Sequence, residues 1–478
     1  MVTLILKNNF VTIKGASRSL IRNINSVTSY KVAGCQFTKS FKKGFWDGRK
    51  RLLKFSNKHG YRCPSGLLQD IIRLFEKDEV EYKIKNLKTK PKKLQKKSYG
   101  WNDKIKLRPY QVEAINAATT SKKRTKPKAR GILVMPIRSG KTITAAGIIR
   151  KLRSKALFVV PSQLLLHQTK ESLENVLMTD VGMIGDSHWY EHNITVATVQ
   201  SLARAKKKND PRYKTMKKQY PLLIFDETHH LVADSWQDLA FDMDAPHIIG
   251  LSATVEFEDD KQNELGVIWL RAVCGDILYK ISPSTLIDQG YLQQPIVQLY
   301  KVESPDMFGY SWSGELANEC IYQNPVRNLM IAKITMERLD AGDNVLIVTN
   351  RLNQVQKISE LLGKMNIDHW KITGKNTVVE RREKIQSFKD GEVNVIVGTV
   401  FGEGVDIPEI VCVINAEGGA DVKATKQRMR NLTTHENKRQ AIFIDFMDMT
   451  NHYFAQHSKG RLNIYKSEAS FILKVKTI

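Results

Sequence analysis

Cysteine is scarce. The five present, at positions 35, 63, 274, 320 and 412, include no CxxC pair and are odd in number. That scatter argues against a disulfide framework or a zinc site. It fits reduced thiols in the cytoplasm, of a bacterium or of a phage-infected cell. Long apolar runs are missing as well: none approaches the ~20 residues that a membrane span needs. The opening stretch MVTLILKNNF has no basic flank and no small-residue cleavage site, so neither a secretion signal nor a membrane partner is expected. Acid is the third shortage. Asp and Glu number 49 against 75 Lys and Arg, a net charge of +26. With 42% hydrophobic residues the chain has the material for packed cores, which excludes a disordered protein.

What is present in excess is positive charge, and an excess this large points to a polyanionic partner. It gathers in short segments: KTKPKKLQKKSYGW at 88–101, SKKRTKPKAR at 121–130 and RAKKKNDPRYKTMKKQY at 204–220. Lying between apolar strands and helices, these are expected as loops or linkers that neutralise nucleic-acid phosphates in a salt-dependent way. Charge alone does not distinguish DNA from RNA.

The 478 residues suffice for two or three domains. TLIL and FVTI near the start read as strands, SRSLIRNINSV and SGLLQDIIRLFEK as helices, and VEYKIK as a closing strand. A small α/β domain is therefore expected over 1–88, followed by a basic linker over 89–104. Further on, β-rich runs (GILVM, ALFVV, NITVAT, LLIFD, HIIGLS) alternate with helical patterns, and a second series restarts near 324 with NVLIVT, VNVIVGT, IVCVINA and QAIFIDF. Repeated βα units imply parallel sheets covered by helices. The expected fold is α/β throughout, with tandem parallel-sheet domains at 105–300 and 301–478, the latter including a C-terminal extension.

VMPIRSGKT, at Val134–Thr142, ends like a phosphate-binding loop. A strand runs into it and a helical pattern, TITAAGIIRKL, follows, which is the context such a loop requires. Backbone N–H groups and the helix N-terminus would face phosphates. Lys141 would reach the β- and γ-phosphates and Thr142 would place its hydroxyl on Mg²⁺, with Ser139 and Gly140 lining the turn. The first glycine of the usual pattern is replaced by Met135, so the loop needs a carboxylate partner. LLIFDETHH at 222–230 supplies one: an apolar strand that delivers Asp226 and Glu227 at its C-terminal end. Asp226 would hold the metal, and Glu227 would orient and deprotonate the attacking water. His229 and His230 have no third ligand at zinc spacing.

Taken in order, further segments complete a resemblance. LRPYQVEAI (107–115), VVPSQLLLHQ (159–168), VATVQSLA (196–203), GLSAT (250–254), VTNRLNQV (348–355), VGTVFGEGVDIP (397–408) and KQRMRNL (426–432) are similar to the motifs of superfamily 2 helicases of the DExH type. The resemblance implies two tandem RecA-like domains that use ATP and Mg²⁺. It implies adenine recognition by Gln111 with Arg108 beside it, and coupling of hydrolysis to domain movement by His229, Ser252 and Thr254. Gly404 and Asp406 match the second-domain loop that closes on the nucleotide, and Gln200, Ser201 and Thr399 match contacts along the bound strand. In the last motif Arg430 takes the place of the first of two arginines on the γ-phosphoryl, while Thr433 stands where the second is usual. Arg138 likewise replaces a glycine.

The combination of MPxxSGKT, DETHH and LRPYQ is most similar to the branch that includes the UvsW-type phage helicases, the XPB-type translocases and, more distantly, RecG. These act on duplex and branched DNA. Within 1–88, FTKSFKKGFWDGRKRLLKF interleaves aromatic and basic residues. Phe45 and Trp46, with Arg49 and Lys50, are candidates to stack on an exposed base and hold phosphates at a junction; a hairpin whose aromatics fill a small core is the alternative. The function expected is that of a monomeric ATP-dependent DNA helicase acting on branched or forked DNA, or on duplex with a single-stranded region. A DExH RNA helicase and a nucleic-acid clamp with weak ATPase are the competitors.

Overall fold

The computed structural model describes every residue except Ala33, 96–97, 121–129, 254–263, Ser313, 400–406, Pro408, 420–439 and 477–478. By contacts the chain divides into two compact units. The first comprises Met1–Met135 and Gly140–Lys280, the second Pro136–Ser139 and Ile281–Ile478.

Each unit is organised by apolar strands too hydrophobic to face water on either side. In the first, ALFVV at Ala156–Val160 and LLIF at Leu222–Phe225 are buried along their whole length, as strands covered by helices on both faces must be. They belong to an eight-stranded sheet. Its order is His188–Tyr190, Gly182–Gly185, Ile194–Thr198, Ala156–Val160, Leu222–Phe225, His247–Ser252, Arg130–Val134 and Ile277–Lys280. Neighbours run parallel apart from the hairpin formed by the first pair. Helix starts are set by side chains that accept from early backbone N–H groups, Ser162 for Gln163–Leu177 and Thr198 for Val199–Lys207.

The second unit holds a seven-stranded, all-parallel sheet. Its order is Trp370–Ile372, Val395–Gly398, Val345–Val348, Cys412–Asn415, Ala441–Asp448, Pro295–Val302 and Ile472–Lys476. The strand Pro295–Val302 thus joins this sheet although it begins before residue 300. Two fully buried ion pairs brace its interior, Arg327–Asp448 at 2.7 Å and Arg461–Asp445 at 2.8 Å. Both guanidiniums also donate to backbone carbonyls, Arg327 to Ala416 and Arg461 to Gly419, each at 2.7 Å.

Residues 1–88 form a five-stranded sheet in the order Lys54–Ser56, Gly60–Pro64, Phe10–Lys14, Val2–Leu6 and Tyr82–Asn86. Helices Arg18–Val27 and Leu68–Lys77 pack on one of its sides. This front sheet does not stand apart. Its core runs on into Ile268, Trp269 and Ala272 of the helix Glu264–Cys274. Phe10 stacks on Phe241 with ring centres 5.7 Å apart. The side-chain amides of Asn8 and Asn9 donate to the carbonyls of Asp244 (2.8 Å) and Phe241 (2.6 Å). Gly66 lies so close that an added Cβ would sit 2.0 Å from the Arg271 carbonyl.

The basic segment expected as a linker is strapped to the same unit. Leu94 donates its N–H to Arg153 at 2.7 Å, the buried Tyr99 hydroxyl reaches Ser154 at 2.9 Å, and Asn102 donates to Val176 at 2.9 Å. Among the described residues no helix is long and apolar enough to cross a membrane.

Candidate nucleotide site and nucleic-acid interface

Strand register brings the sequence-expected groups of the first unit to one edge. Val134 pairs with Ser252, and Phe225 pairs with Gly250, so three parallel strands end side by side. Met135 leaves the first of these and donates its N–H to the Ser252 carbonyl at 2.9 Å. Asp226 leaves the third and donates to Val159 at 3.0 Å. The carboxyl edge of a parallel sheet is where such folds receive ligands.

Gly140 takes the left-handed conformation, φ +75°, and caps the helix Lys141–Leu152 without a side chain, so Lys141 and Thr142 open the helix. A helix N-terminus with no side-chain cap offers its first N–H groups to an anion, which fits a phosphate. Gln111 is buried. Its Oε1 accepts from Arg108 N–H at 3.0 Å, and its Nε2 lies 2.5 Å from where a Gly140 Cβ would be. Arg108 in turn donates to the Tyr110 hydroxyl at 3.1 Å. Ser139 is buried and donates to the Pro136 carbonyl at 2.6 Å.

Asp226 is 7% exposed, and its carboxylate accepts the Glu227 N–H at 3.0 Å. Glu227 itself is left-handed, φ +46°, an unusual angle for a side chain of its size. His229 Nδ1 lies 3.5 Å from Glu227 Oε2, and His230 stacks on Trp236. No group of three metal-ligating His, Cys, Asp or Glu side chains occurs among the described residues.

Two further residues escaped the sequence reading. The Thr228 hydroxyl donates to the Leu251 carbonyl at 2.7 Å, tying the acidic segment to the strand that carries Ser252. Gly250 permits this approach, since a Cβ there would lie 2.7 Å from the Thr228 side chain. The only prior signal was a glycine inside an otherwise apolar strand.

Arg138, where glycine is usual, has φ +68°. A left-handed residue with a Cβ costs about 1–2 kcal/mol. Arg138→Gly should therefore be more stable than Arg138→Ala by about 0.5–1 kcal/mol, the strain relieved exceeding glycine's extra chain entropy. Both variants lose the guanidinium, so chemical denaturation of the pair isolates the backbone. An alanine variant at least as stable would remove the strain.

At the same edge Gln200 donates to the Pro161 carbonyl at 2.9 Å, and Ser201 accepts from the Thr198 hydroxyl at 2.9 Å. In the second unit Thr399 follows the strand Val395–Gly398 and donates its N–H to Ile372 at 3.1 Å. Thr254, Gly404, Asp406 and Arg430 lie outside the described residues.

In the front domain Phe45 is 83% exposed, whereas Trp46 is half-buried and donates to the Arg49 carbonyl at 2.8 Å. Arg49 reaches the Ser29 hydroxyl at 3.2 Å, and Lys50 is exposed. Phe37, 75% exposed, is a further aromatic of this loop.

The basic run at 204–220 is partly neutralised at home. Lys206 pairs with Asp238 at 2.6 Å, Lys217 with Asp242 at 3.2 Å and Arg212 with Asp210 at 2.7 Å. The helix Asp234–Asp242 supplies two of these acids, a partner that charge counting over a short window does not register.

Known families match along most of the chain. The profile described as the res subunit of type III restriction enzymes matches residues 104–257, and that of the helicase conserved C-terminal domain matches 327–459. The N-terminal profile of the DNA helicase UvsW matches 6–86. The DNA 3'-5' translocase XPB2 of Sulfurisphaera tokodaii is 28% identical over 431 residues, covering 83% of this chain and 92% of the relative. Among solved structures, Saccharomyces cerevisiae Dbp5 bound to RNA and ADP BeF3 is 16% identical with a TM-score of 0.53. That match covers 79% of this chain and 95% of that one. The restriction-modification enzyme LlaBIII bound to DNA is 15% identical with a TM-score of 0.55, covering 86% and 34%. These two likenesses show the fold, two RecA-like domains. Enzymes of this kind use ATP with a divalent metal. The chain belongs to the superfamily 2 helicases, nucleic-acid-dependent ATPases, and among them it resembles UvsW and the XPB-type translocases.

Proposed function

We propose that the chain is an ATP- and Mg²⁺-driven DNA translocase that remodels branched or forked DNA and works as a monomer. The observation that carries this reading is a UvsW-type front domain that shares a core with the helix Glu264–Cys274 and holds Phe45 in solvent among basic residues. An aromatic ring in that setting can stack on a base unpaired at a junction while its neighbours hold phosphates. In this reading residues 1–88 engage DNA, 89–104 join them to the motor, 105–300 bind ATP and 301–478 form the second motor domain.

Lys141, with the N-terminus of its helix and with Ser139 and Gly140, binds the phosphates. Gln111 and Arg108 recognise the base. Thr142 and Asp226 would hold Mg²⁺, which supplies positive charge to the transferring phosphoryl group. Glu227 takes the proton of the attacking water. The family resemblance assigns Arg430, Gly404 and Asp406 to nucleotide hydrolysis as well. It assigns Ser252, Thr254 and His229 to the coupling of hydrolysis to movement, and Gln200, Ser201 and Thr399 to contact with the bound strand.

Steady-state ATPase measured with single-stranded, duplex, forked and four-way DNA and with single-stranded RNA tests the proposal. Forked and four-way DNA should stimulate most and RNA least. Stimulation by RNA equal to that by forked DNA would favour an RNA helicase. Turnover that stays slow with every nucleic acid would favour a clamp.

A further inference from the structure

The strands of the front sheet contain no acidic residue and five basic ones, Lys14, Lys54, Arg62, Lys83 and Lys85. Pairing fixes which side each occupies, because successive side chains alternate between faces and directly paired residues share one. Lys54 pairs with Arg62, Arg62 with Thr12, Thr12 with Ile5, and Ile5 with Lys85, one row across the whole sheet. Lys14, Thr3 and Lys83 form the next row on the same side. All five cations therefore share one face. The opposite face carries Val2, Leu4, Val11, Ile13 and Cys63, buried against the helices.

A solvated sheet face is ordinary in small mixed sheets. A face of one sign is not explained by solvation, since solubility is served as well by mixed charges. Among the described residues none of the five enters an ion pair; Arg62 lies over the Phe10 ring at 4.8 Å. The four lysines are exposed, and the floor between them, Thr3, Ile5 and Thr12, is half-buried and uncharged. His59, on the turn beside Arg62, is held below the ordinary histidine value by desolvation and then by the charges of Arg62, Lys58 and Lys7.

The dimensions suggest the occupant. Strands Gly60–Pro64 and Tyr82–Asn86 are separated by two others, so the rims they carry stand ~14 Å apart at ~4.8 Å per strand. The major groove of DNA is about 12 Å wide and bordered by two phosphate backbones. One backbone can meet Lys54 and Arg62 while the other meets Lys83 and Lys85, with the threonine hydroxyls facing the groove. Phe10, on this same face, stacks on Phe241, so a double helix held here lies beside the helix Asp234–Asp242.

We propose that this open sheet face is a second DNA site, separate from the aromatic loop, which grips both backbones of a double-helical arm. The proposal rests on the helicase acting on DNA. It is tested in the full-length protein with the triple variant Lys54→Gln, Lys83→Gln, Lys85→Gln, taken from both rims. The control triple is Arg18→Gln, Arg22→Gln, Lys77→Gln, which removes equal charge from exposed positions on the helices of the opposite side.

Fluorescence anisotropy with a blunt ~20-bp DNA duplex should show roughly 30-fold weaker binding for the rim variant, and its log–log salt slope should fall by about 3. Binding of a ~20-nucleotide single strand, and the ATPase it stimulates, should change less than about twofold. Replacing the same lysines with arginine should keep duplex binding. Unchanged duplex affinity, an equal loss in the control triple, or an equal loss on the single strand would each overturn the inference. Wild-type ATPase indifferent to all nucleic acids would instead sink the functional reading beneath it, and this site with it.

Discussion

Lys141→Ala and Glu227→Gln should each reduce ATP turnover by about 10³-fold or more, while nucleic-acid binding stays within about twofold of wild type. Lys141 opens a helix whose N-terminus has no side-chain cap, and in the proposed reading its ammonium neutralises the γ-phosphate beside those N–H groups. Removing it leaves the helix and loop in place but takes away charge stabilisation that grows in the transition state. Glu227→Gln is the sharper change. It preserves size while turning one acceptor oxygen into an N–H donor, and the left-handed backbone at φ +46° and the contact of Glu227 N–H with Asp226 involve main-chain atoms of residue 227 that the change leaves in place. The negative charge that faces His229 at 3.5 Å and the ability to take a proton are lost together. Nucleotide affinity should accordingly change little in Glu227→Gln and fall in Lys141→Ala. The check is single-turnover hydrolysis alongside equilibrium binding of labelled nucleotide. ATPase above about a tenth of wild type in either variant would contradict the assignment.

Much of this site was readable from local sequence because each piece is local. A run such as LLIF is apolar at every position, so it must be covered on both faces, and whatever follows it emerges at a sheet edge. Asp226 and Glu227 follow it directly. What was not readable depends on residues far apart. Trp269 and Ile268 sit in a helix whose apolar positions do not announce that another part of the chain covers them. Lys206 and Lys217 look like free charge until Asp238 and Asp242 are placed beside them. The left-handed angles at Arg138 and Glu227 run against residue preference, so propensity points the wrong way there. Such conflicts between local preference and final geometry concentrate at functional sites, where the surrounding fold imposes the strain.

The front domain carries the second large effect. Its strand pattern and the Lys- and Pro-rich stretch behind it suggest a unit that could be removed to leave a soluble two-domain ATPase. The packing predicts otherwise. Deleting residues 1–88 uncovers Ile268, Trp269 and Phe241, and burial of such side chains stabilises by about 1.5–3 kcal/mol each. The sum approaches the whole stability of a typical domain, about 5–15 kcal/mol. Deletion also strips Arg130, 4% exposed, of the Asn8 carbonyl it bonds at 2.8 Å, and Asp276 of its ion pair with Arg73 at 2.9 Å. The strand that begins at Arg130 ends at Val134, where the phosphate loop starts, so loosening here reaches the nucleotide. The truncated chain should be largely insoluble or melt without cooperativity, and its basal ATPase should be lost along with its response to forks. Gly66→Ala in the full-length chain is the milder companion, since its Cβ would meet the Arg271 carbonyl at 2.0 Å and force the two parts apart without removing either. It should lower the melting temperature and reduce basal ATPase in parallel. A truncated protein that is soluble, melts cooperatively and keeps wild-type basal ATPase would mean that the shared core is dispensable and that the front domain serves DNA alone.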